Sequence, residues 1–319
     1  MSEEIAVFSL TSSKKLTAEI CKYLGIPEGK IDVKHFADGE ILIELGESVR
    51  GKHVFIVQST CGPVNENLME VLIALDAVKR ASCKEVTCVI PYYGYARQDR
   101  KARPRQPITA KLVADLLEAA GADRVVCIDL HATQIQGFFK IPTDNLTAMN
   151  MIGQYFRKKN LENVVVVSPD HGGATRARVL ADSINNAPIA IVDKRRQKPN
   201  VAEAMNLVGD VDGKDCIIVD DLTDTGGSLI GCIDILKKHG AKDIYCACTH
   251  GVFSNGCMER IANSDIKEFV ITNTIERTDE QLSAVPNLTV LSVGYLLAKT
   301  IEAIYSYKPI SDVYDMFEE

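Results

Sequence analysis

An internal repeat restricts the fold of this chain more than any other feature of its sequence. Three pairs of segments match at spacings of about 160 residues: Gly51–Val57 with Gly213–Val219, Lys84–Cys88 with Lys242–Cys246, and Val7–Ser9 with Val166–Ser168. The first two pairs each begin with a short polar stretch that runs into an apolar one. Three matches at one spacing favour a duplicated domain over chance similarity, and the two copies divide near residue 146.

Short apolar runs alternate with longer amphipathic segments along both copies. The predicted strands are Ile5–Ser9, Val54–Val57, Val86–Ile90, Val125–Ile128, Val164–Val167, Ile189–Val192, Cys216–Val219, Ile244–Cys248 and Val270–Thr272. The predicted helices cover residues 14–24, 65–80, 109–120, 146–159, 174–185, 227–239 and 255–262. Because the Val and Ile runs lack polar alternation, they suit strands that are buried on both faces of parallel sheets.

The predicted fold class is therefore α/β, with two duplicated domains that each form a mainly parallel sheet covered by helices. The length of 319 residues fits this organisation, since a domain averages about 150 residues. We expect the first domain at residues 1–146 and the second at 147–319, with the segment 289–306 packing on the first.

Composition and charge exclude several classes of protein. The chain has 36 basic and 43 acidic residues, a formal net charge of −7 and 46% hydrophobic residues. It is therefore not an intrinsically disordered chain, and its acidity gives no general attraction to nucleic acid. No apolar run approaches the roughly 18–20 residues of a membrane helix, so we expect no membrane partner. The acidic N-terminus is also unlike that of a signal peptide.

The cysteines indicate a reducing compartment. None of the ten forms a C-x-x-C pair, and several lie inside apolar runs, such as Cys127 and Cys216. Reduced core thiols explain this pattern better than a metal site or a disulfide framework. We therefore expect a cytoplasmic protein.

The strongest chemical signal is the segment Val219–Ser228, which reads VDDLTDTGGS. It follows a predicted buried strand and opens a predicted helix, so Thr225–Ser228 would present backbone N–H groups and hydroxyls to a phosphate. The glycine pair lets the backbone approach the anion closely. Asp220 and Asp221, at the carboxyl end of the strand, can bind two sugar hydroxyls or a divalent metal. A capped surface loop is the alternative, but two adjacent acids before a glycine pair favour the ligand site.

Two further loops carry polar side chains after predicted strands. Ser168–Gly173 follows one strand and precedes a helix, and Asp170 within it suits a metal or its waters. Plain turn chemistry explains this loop equally well. Asp129 and His131 follow the strand Val125–Ile128, where metal ligation or a phosphate contact competes with a purely structural histidine.

Two basic stretches stand out against the acidic whole. Residues 97–105 carry five cations and one anion, and residues 193–198 carry four cations after a predicted strand. Solvated charge runs are the usual explanation, and neutralisation of a polyphosphate by mobile loops is the alternative. The sequence contains no G-x-x-x-x-G-K-[ST] and no G-x-G-x-x-G, which excludes the common nucleotide-binding fingerprints.

Six sequence motifs occur together and in one order along the chain. They are Phe36–Glu40 (FADGE), Arg97–Asp99 (RQD), Asp129–Phe139 (DLHATQIQGFF), Ser168–Gly173 (SPDHGG), Lys194–Arg196 (KRR) and Val219–Ser228. In this combination the chain resembles the ribose-phosphate pyrophosphokinases (phosphoribosyl pyrophosphate synthases) of the phosphate-activated class, over essentially its whole length. The resemblance implies two type I phosphoribosyltransferase-like domains, in agreement with the repeat.

The resemblance also implies a reaction. The family transfers the β,γ-pyrophosphoryl group of ATP to O1 of ribose 5-phosphate, giving AMP and 5-phosphoribosyl 1-pyrophosphate for nucleotide, histidine and tryptophan biosynthesis. The implied catalytic residues are Lys194 and Arg196, on the family's flexible loop. The implied ATP-binding residues are Phe36, Asp38, Gly39, Glu40, Arg97, Gln98, Asp99 and Lys101. The implied ribose 5-phosphate-binding residues are Arg196, Asp220, Asp221, Asp224, Thr225, Gly226, Gly227 and Ser228.

Cofactor, assembly and regulation are implied by the resemblance in the same way. The expected cofactor is Mg²⁺, with His131 and Asp170 as its ligands and Asp129 and Asp144 as further candidates. The expected assembly is a homo-oligomer, a hexamer of dimers, in which Phe36–Glu40 completes the adenine pocket of a neighbouring subunit. Phosphate and ADP are the expected effectors. The expected regulatory residues are Ser48 and Arg50.

Three positions depart from the family pattern. Lys140 stands where many relatives have Asp, and Ser228 stands where Thr is common. The tail carries Asp312–Phe317 (DVYDMF) where relatives commonly have two serines of the regulatory site. A weaker response to phosphate and ADP is therefore expected.

Two other functions compete with this interpretation. A phosphoribosyltransferase would share the Asp220–Ser228 loop, but it would not need Phe36–Glu40 or Arg97–Lys101, and it rarely has a duplicated domain. A catalytically silent regulatory subunit would be expected to lose the loop cations, whereas Lys194 and Arg196 are both present.

Overall fold

The chain forms two compact units in the structure, a computed structural model that describes residues 4–195 and 204–317. Unit 1 contains the residues up to Thr147, together with Thr274–Glu276 and Ser292–Val313. Unit 2 contains Ala148–Asn273, Arg277–Leu291 and the residues from Tyr314 onward. The chain therefore passes between the units near residue 147, twice near residue 275, after Leu291, and again after Val313.

The secondary structure alternates between strands and helices along both units. Within the described residues the strands are β1 (Ile5–Ser9), β2 (Ile31–His35), β3 (Ile41–Leu45), β4 (His53–Val57), β5 (Glu85–Ile90), β6 (Arg124–Ile128), β7 (Thr143–Leu146), β8 (Val164–Ser168), β9 (Ile189–Arg195), β10 (Ala204–Val208), β11 (Asp215–Thr223), β12 (Ile244–Gly251), β13 (Glu268–Thr272) and β14 (Leu288–Leu291). The α-helices are α1 (Lys14–Leu24), α2 (Val64–Arg80), α3 (Thr109–Ala120), α4 (Met149–Lys158), α5 (Ala174–Ser183), α6 (Gly227–Lys238), α7 (Cys257–Ala262), α8 (Asp279–Ser283) and α9 (Gly294–Tyr305). Two 3-10 helices cover Thr133–Phe138 and Ser311–Phe317.

Each unit is built on a mainly parallel sheet, as predicted. In unit 1 the strand order is β1-β4-β5-β6-β7, all parallel, and β2 and β3 form a separate antiparallel hairpin. In unit 2 the order is β10-β9-β8-β11-β12-β13-β14, and β10 is the antiparallel strand. The α/β class with helix-covered parallel sheets is therefore confirmed.

The two sheets share one pairing register, which strengthens the duplication seen in the sequence. Equivalent strand pairs match residue for residue: Ile5 opposite His53 with Val164 opposite Asp215, Val54 opposite Val86 with Cys216 opposite Ile244, and Val125 opposite Thr143 with Phe269 opposite Leu288. Since a slip of one residue would exchange the faces of a strand, the shared register fixes equivalent loops at the carboxyl ends of both sheets.

The cores explain why these segments fold as they do. All five residues of β1 and of β4 are buried, which is the pattern of strands covered by helices on both faces. On α2 the buried residues Leu68, Val71, Leu75 and Val78 recur at helical spacing and face the sheet. Each such side chain stabilises the fold by about 1.5–3 kcal/mol on burial. All ten cysteines are free and nine are buried, which confirms the prediction of core thiols.

Several elements differ from the sequence prediction. The strands β2, β3, β7 and β10 and the short helix α8 were not predicted. β7 (TDNL) and α8 (DEQLS) are mostly polar, whereas β3 (ILIEL) and β10 (AMNLV) are mainly apolar and were missed. The segment 289–306 was expected to pack on the first domain, and this is wrong for its first residues. They belong to β14, which pairs with β13 in unit 2, whereas Ser292–Val313 belongs to unit 1.

No helix among residues 4–195 and 204–317 combines the length and the apolar content that crossing a bilayer requires.

Gly94 lies where the loop after β5 passes close to the loop after β4. A Cβ atom at this position would lie 2.4 Å from the carbonyl oxygen of Thr60, and the Gly94 N–H donates to Thr60 Oγ1 at 2.6 Å. We expect Gly94→Ala to lower the free energy of unfolding by about 1–3 kcal/mol, since the backbone must move to admit a methyl group. Urea titration measures this change.

Gly137→Ala is the matched control, because a Cβ at Gly137 would meet nothing within 4 Å. We expect it to change the free energy of unfolding by less than about 0.5 kcal/mol. Equal stabilities of the two variants would contradict this account of the close approach.

Candidate active site

The loop between β11 and α6 forms the centre of the candidate site in unit 2. Gly226 has a φ of +78°, and a Cβ at this position would lie 2.8 Å from Cys257 Sγ. Both the backbone angle and the lack of space therefore require glycine here. This turn leads directly into α6, which begins at Gly227. The first N–H groups of a helix have no acceptor within the helix, so the turn directs unpaired donors and a positive dipole end to one spot.

Neighbouring residues hold this loop from behind. Arg260 donates from Nε and Nη2 to the carbonyl oxygen of Thr225, at 3.0 and 2.7 Å, and from Nη2 to that of Asn255 at 2.6 Å. The Ser254 hydroxyl donates to the Asp224 carboxylate, and the Ser254 N–H donates to the Asp224 carbonyl at 3.0 Å. These bonds fix the carbonyl groups of the loop and thereby the direction of its amides.

A cleft of about 180 Å³ opens at this loop. Eight consecutive residues, Leu222–Leu229, line it together with Asp220 and Pro169. The remaining lining residues are Ile218, Cys246, Ala247 and Phe269. The cleft thus joins polar donors and acids to an apolar wall, and it lies at the carboxyl end of the sheet, where α/β proteins bind ligands.

The two adjacent acids are bridged by an arginine that the sequence analysis did not single out. Arg176 Nη1 lies 2.9 Å from Asp220 Oδ1, and Arg176 Nη2 lies 3.2 Å from Asp221 Oδ1. The Asp221 side chain is only 4% exposed, whereas that of Asp220 is 37% exposed. Asp221 is therefore held inside the fold, and Asp220 faces the cleft.

Burial and the neighbouring Asp221 carboxyl raise the pKa of Asp220 above its usual value, and the Arg176 guanidinium opposes this rise. The Asp220 carboxylate also accepts the N–H of Asp221 at 2.9 Å. A desolvated acid beside a second acid costs free energy when both are ionised, and the guanidinium offsets part of that cost. Hydrogen-bond donors of a ligand would therefore stabilise the ionised Asp220 carboxylate.

The loop that carries Asp170 follows β8, the strand next to β11, and leads into α5. Asp170 Oδ1 accepts the N–H of Gly173 at 2.9 Å, and the Ser168 hydroxyl donates to the Asp170 carbonyl at 2.6 Å. Asp170 and His171 are exposed. Because Arg176 lies on the first turn of α5 and pairs with Asp220, this loop and the β11 loop belong to one constellation in unit 2.

The expected ATP-binding residues lie in two places of unit 1. Phe36–Glu40 forms the turn of the β2–β3 hairpin, closed by the Phe36 N–H to the Glu40 carbonyl at 2.9 Å and by the Gly39 N–H to the Phe36 carbonyl at 2.9 Å. Gly39 has a φ of +95°, which favours glycine in this turn. The Phe36 side chain is 54% exposed. The hairpin thus presents an aromatic ring and two acids to the outside of unit 1.

The second place is the loop after β5, which carries Arg97–Lys101. Gln98 Oε1 accepts the Thr109 hydroxyl at 2.6 Å, and Asp99 Oδ2 accepts Gln134 Nε2 at 2.9 Å. Arg97 and Lys101 are exposed. The loop is therefore anchored by its two polar residues, while its cations face outward.

The other metal candidates also lie in unit 1, at β6 and β7. His131 is exposed and Asp129 is half-exposed, with a φ of +42° at Asp129. Asp144 lies within β7 and forms an ion pair with Arg124 at 2.6 Å. Among the residues that the structure describes, no three or more His, Cys, Asp or Glu side chains gather as metal ligands.

Four predicted residues remain: the candidate catalytic residues Lys194 and Arg196 and the candidate regulatory residues Ser48 and Arg50. The backbone of Lys194 pairs with Met205 in the β9–β10 ladder, and Arg196 lies outside the described residues. Ser48 and Arg50 are both exposed, and the Arg50 N–H approaches Ser48 Oγ at 3.5 Å.

Sequence reasoning missed Arg176 and Arg260, which shape the site from neighbouring helices. Arg176 lies on the first turn of α5, where the positive end of the helix dipole disfavours a cation, so its position is a usable signal of a nearby acid. Arg260 lies in the last turn of the short helix α7, where a cation is ordinary, so its position gives no such signal. Neither partner was evident, because Asp220 and Thr225 lie 44 and 35 residues away along the chain.

Comparison with known proteins identifies the family. The model for the N-terminal domain of ribose phosphate pyrophosphokinase matches residues 5–121, and the phosphoribosyl transferase domain model matches residues 141–282. The ribose-phosphate pyrophosphokinase of Halalkalibacterium halodurans is 55% identical over 98% of both chains. That of Bacillus subtilis is 53% identical over 97% of this chain and 96% of the relative.

A solved structure agrees with both the fold and the family. The phosphoribosylpyrophosphate synthetase of Mycobacterium smegmatis matches with a TM-score of 0.91 and 43% identity, over 95% of this chain and 99% of that one. The two predicted phosphoribosyltransferase-type domains are thereby confirmed. The chain belongs to the ribose-phosphate pyrophosphokinase family, whose members transfer a diphosphate group.

Proposed function

We propose that this chain transfers the β,γ-pyrophosphoryl group of ATP to O1 of ribose 5-phosphate, and that unit 2 binds the sugar phosphate. The observation that carries the assignment of the sugar site is the cleft at Leu222–Leu229, which joins a helix N-terminus to the Asp220 carboxylate at a strand end. The first part needs an anion, and the second part needs hydrogen-bond donors. A pentose with a terminal phosphate supplies both.

Within this proposal, different residues bind the phosphate and the sugar of the ligand. The amides and hydroxyls of Asp224–Ser228 receive the 5-phosphate, since Gly226 and Arg260 hold the loop with its amides in position. Asp220 accepts the ribose hydroxyls, because its side chain faces the cleft. Asp221 is buried, so it acts by holding Arg176, and through it Asp220.

The ATP side of the proposal uses the surface residues of unit 1. The guanidinium of Arg97 and the ammonium of Lys101 offer charge to the triphosphate, with Gln98 and Asp99 anchoring the loop. The exposed Phe36 ring, with Asp38 and Glu40, offers stacking and hydrogen bonds to an adenine. These assignments rest on the family motifs together with the exposure of the side chains.

The reaction depends on positioning and charge neutralisation more than on proton transfer. The ribose O1 attacks Pβ in line, the bond from Pβ to the α-phosphate oxygen breaks, and AMP leaves. We assign the neutralisation of the developing charge to Lys194 and Arg196, the cations that match the family's catalytic motif.

We propose Mg²⁺ as the cofactor, with Asp170 and His131 as its ligands and Asp129 and Asp144 as further candidates. The donors fit an ion that keeps most of its waters, since single carboxylates rather than a cage of three or more ligands occur among the described residues. When bound, Mg²⁺ neutralises phosphate charge. Asp144 is the weakest candidate, because Arg124 already occupies its carboxylate.

We further propose a cytoplasmic homo-oligomer, a hexamer of dimers, in which the Phe36–Glu40 hairpin serves a neighbouring subunit. The 54% exposure of Phe36 supports this, since a large aromatic at a hairpin tip gains from a partner. Sedimentation velocity measures the assembly, and a fully active monomer would contradict the shared site. Phosphate and ADP remain the proposed effectors, with Ser48 and Arg50 as their site.

Product analysis tests the proposed function directly. We expect the purified chain with Mg²⁺ and ATP to form AMP only when ribose 5-phosphate is present, with one phosphoribosyl pyrophosphate formed for each AMP by ³¹P NMR. A phosphoribosyltransferase would instead give no AMP from these two substrates, and it would consume phosphoribosyl pyrophosphate with a base.

We expect Lys194→Ala and Arg196→Ala each to lower kcat by about 10²–10³, because a contact made only in the transition state changes turnover more than affinity. Initial rates with varied ATP and ribose 5-phosphate separate kcat from KM. Arg178→Ala is the control, since Arg178 is an exposed cation on α5. An unchanged kcat with raised KM would assign these residues to binding alone.

We expect Asp220→Asn to weaken ribose 5-phosphate binding while stabilising the ligand-free protein at alkaline pH. Burial and Asp221 raise the pKa of Asp220 in the folded state above that of the unfolded chain. The folded state therefore binds the proton more tightly and loses stability as the pH rises through the raised pKa. The asparagine has no such loss, so its gain in Tm should be larger at about pH 8 than at about pH 5.

Calorimetric titration and thermal unfolding at both pH values measure the two effects. Asp234→Asn is the control, because Asp234 is an exposed acid on α6. Wild-type sugar-phosphate affinity in Asp220→Asn would remove Asp220 from the ribose site. A difference in Tm between Asp220→Asn and the wild type that is the same at both pH values would contradict the proposed destabilisation by the ionised Asp220 carboxylate.

A further inference from the structure

The ligand cleft has an equivalent position in unit 1, because the two sheets share one register. The loop Leu10–Ser13 after β1 corresponds to the Asp170 loop after β8. The loop Gln58–Gly62 after β4 corresponds to Asp220–Asp224 in and after β11. In this alignment Gln58 stands at the position of Asp220, and Ser59 at that of Asp221. The helices that follow these loops in unit 1 are α1 and α2.

A carboxylate of unit 1 itself fills the first part of this equivalent position. Glu70 of α2 is only 2% exposed. Its carboxylate accepts the Thr11 N–H at 3.1 Å, the Thr11 hydroxyl at 2.7 Å and Gln58 Nε2 at 2.7 Å. The donors are thus a loop amide, a loop hydroxyl and the side chain that replaces Asp220. An anion with the same needs as a phosphate oxygen occupies this position.

The surrounding polar groups are satisfied in the same internal way. Gln58 Oε1 accepts both the N–H and the hydroxyl of Ser12, at 3.0 and 2.8 Å. Ser13 Oγ accepts the N–H of Ser59 at 2.9 Å. Gln58 and Ser59 are completely buried. The N–H groups of Ser12 and Ser59, one in each loop, therefore donate to side chains of unit 1 itself.

A second carboxylate lies at the N-terminus of α1. Glu276 Oε1 accepts the N–H of Leu16 at 2.9 Å, and the Glu276 carboxylate also accepts the N–H of Lys15. Ser13, the residue before this helix, makes no side-chain cap, so Glu276 takes that role from 260 residues away along the chain. Two residues before it, the buried Thr274 accepts the Ser59 hydroxyl through its carbonyl.

The Glu276 carboxylate is partly compensated by its surroundings. Burial and the charge of Glu19 raise the pKa of the Glu276 carboxyl, and the amides of Leu16 and Lys15 and the charge of Lys15 limit that rise. The positive end of the α1 dipole acts in the same direction as these donors. The equivalent helix of unit 2, α5, begins after the loop that carries Asp170.

We propose that unit 1 retains the anion-binding position of the duplicated fold, and that the carboxylates of Glu70 and Glu276 occupy it permanently in place of an external anion. Glu276 is the residue that fastens the segment Thr274–Glu276 into this cleft. The cleft of unit 1 is consequently closed to small anions in the wild-type protein, and removal of the Glu276 carboxylate opens it.

Chemical rescue of the full-length protein tests this proposal. We expect Glu276→Ala to lower the Tm by about 3–6 °C, because two helix N–H groups lose a charged acceptor. Sodium acetate at about 0.2 M should then restore at least half of that loss, relative to sodium chloride at equal ionic strength. The wild type and the control Glu162→Ala, which removes an exposed loop carboxylate, should show no acetate-specific gain.

Glu276→Gln keeps the bulk of the side chain and one acceptor oxygen, so we expect a smaller loss of Tm and no rescue by acetate. Hydrogen–deuterium exchange of peptides covering residues 11–20 reports the same event, with faster exchange in Glu276→Ala that acetate slows. A wild-type Tm in Glu276→Ala would overturn the proposal. So would an acetate gain of equal size in all four proteins. If Glu276→Ala does not fold, unchanged exchange of this peptide in Glu276→Gln would overturn it.

Discussion

The two contacts of Arg176 with Asp220 and Asp221 are the interaction on which the candidate site depends. Two carboxylates on consecutive residues at the end of a buried strand repel each other, and one of them is nearly inaccessible to water. A planar guanidinium is suited to bridge them, since it offers parallel donors and stays charged at any relevant pH. Arg176 lies in the first turn of α5, after Asp170, so its side chain ties the Asp170 loop to the end of β11 in unit 2.

The loop beyond these acids works by a different constraint, the direction of backbone groups. Arg260 binds the carbonyl oxygen of Thr225, and the positive φ of Gly226 turns the chain into α6. Amide donors that are fixed before a ligand arrives need no reorganisation when charge develops nearby. In the proposed function, the acids and the amides recognise opposite ends of a sugar phosphate, and neither set alone specifies one.

Much of this could be predicted from the sequence, for identifiable reasons. The apolar runs gave the central strands, because Val and Ile segments without alternation have few other uses. The segment Val219–Ser228 predicted a strand, a turn and a helix N-terminus in the correct order, and the structure has all three. The repeat predicted two similar units, and the pairing registers agree with it in detail.

The contacts that depend on distant residues could not be predicted in this way. Glu276 lies 260 residues from Leu16 along the chain, and nothing local distinguishes it from a surface acid. The roles of Lys194 and Arg196 stay predictions, since they rest on the family motif.

The two copies of the fold differ in how they satisfy the same set of backbone groups. Strand ends and helix N-termini expose N–H donors at fixed places, and each donor needs an acceptor when water is excluded. Unit 1 meets this requirement with Glu70, Gln58 and Glu276. Unit 2 instead places its acids on the strand itself and pairs them with Arg176, and its α6 turn lines a cleft. The position of a few carboxylates, rather than the architecture, therefore distinguishes this part of the two copies of the fold.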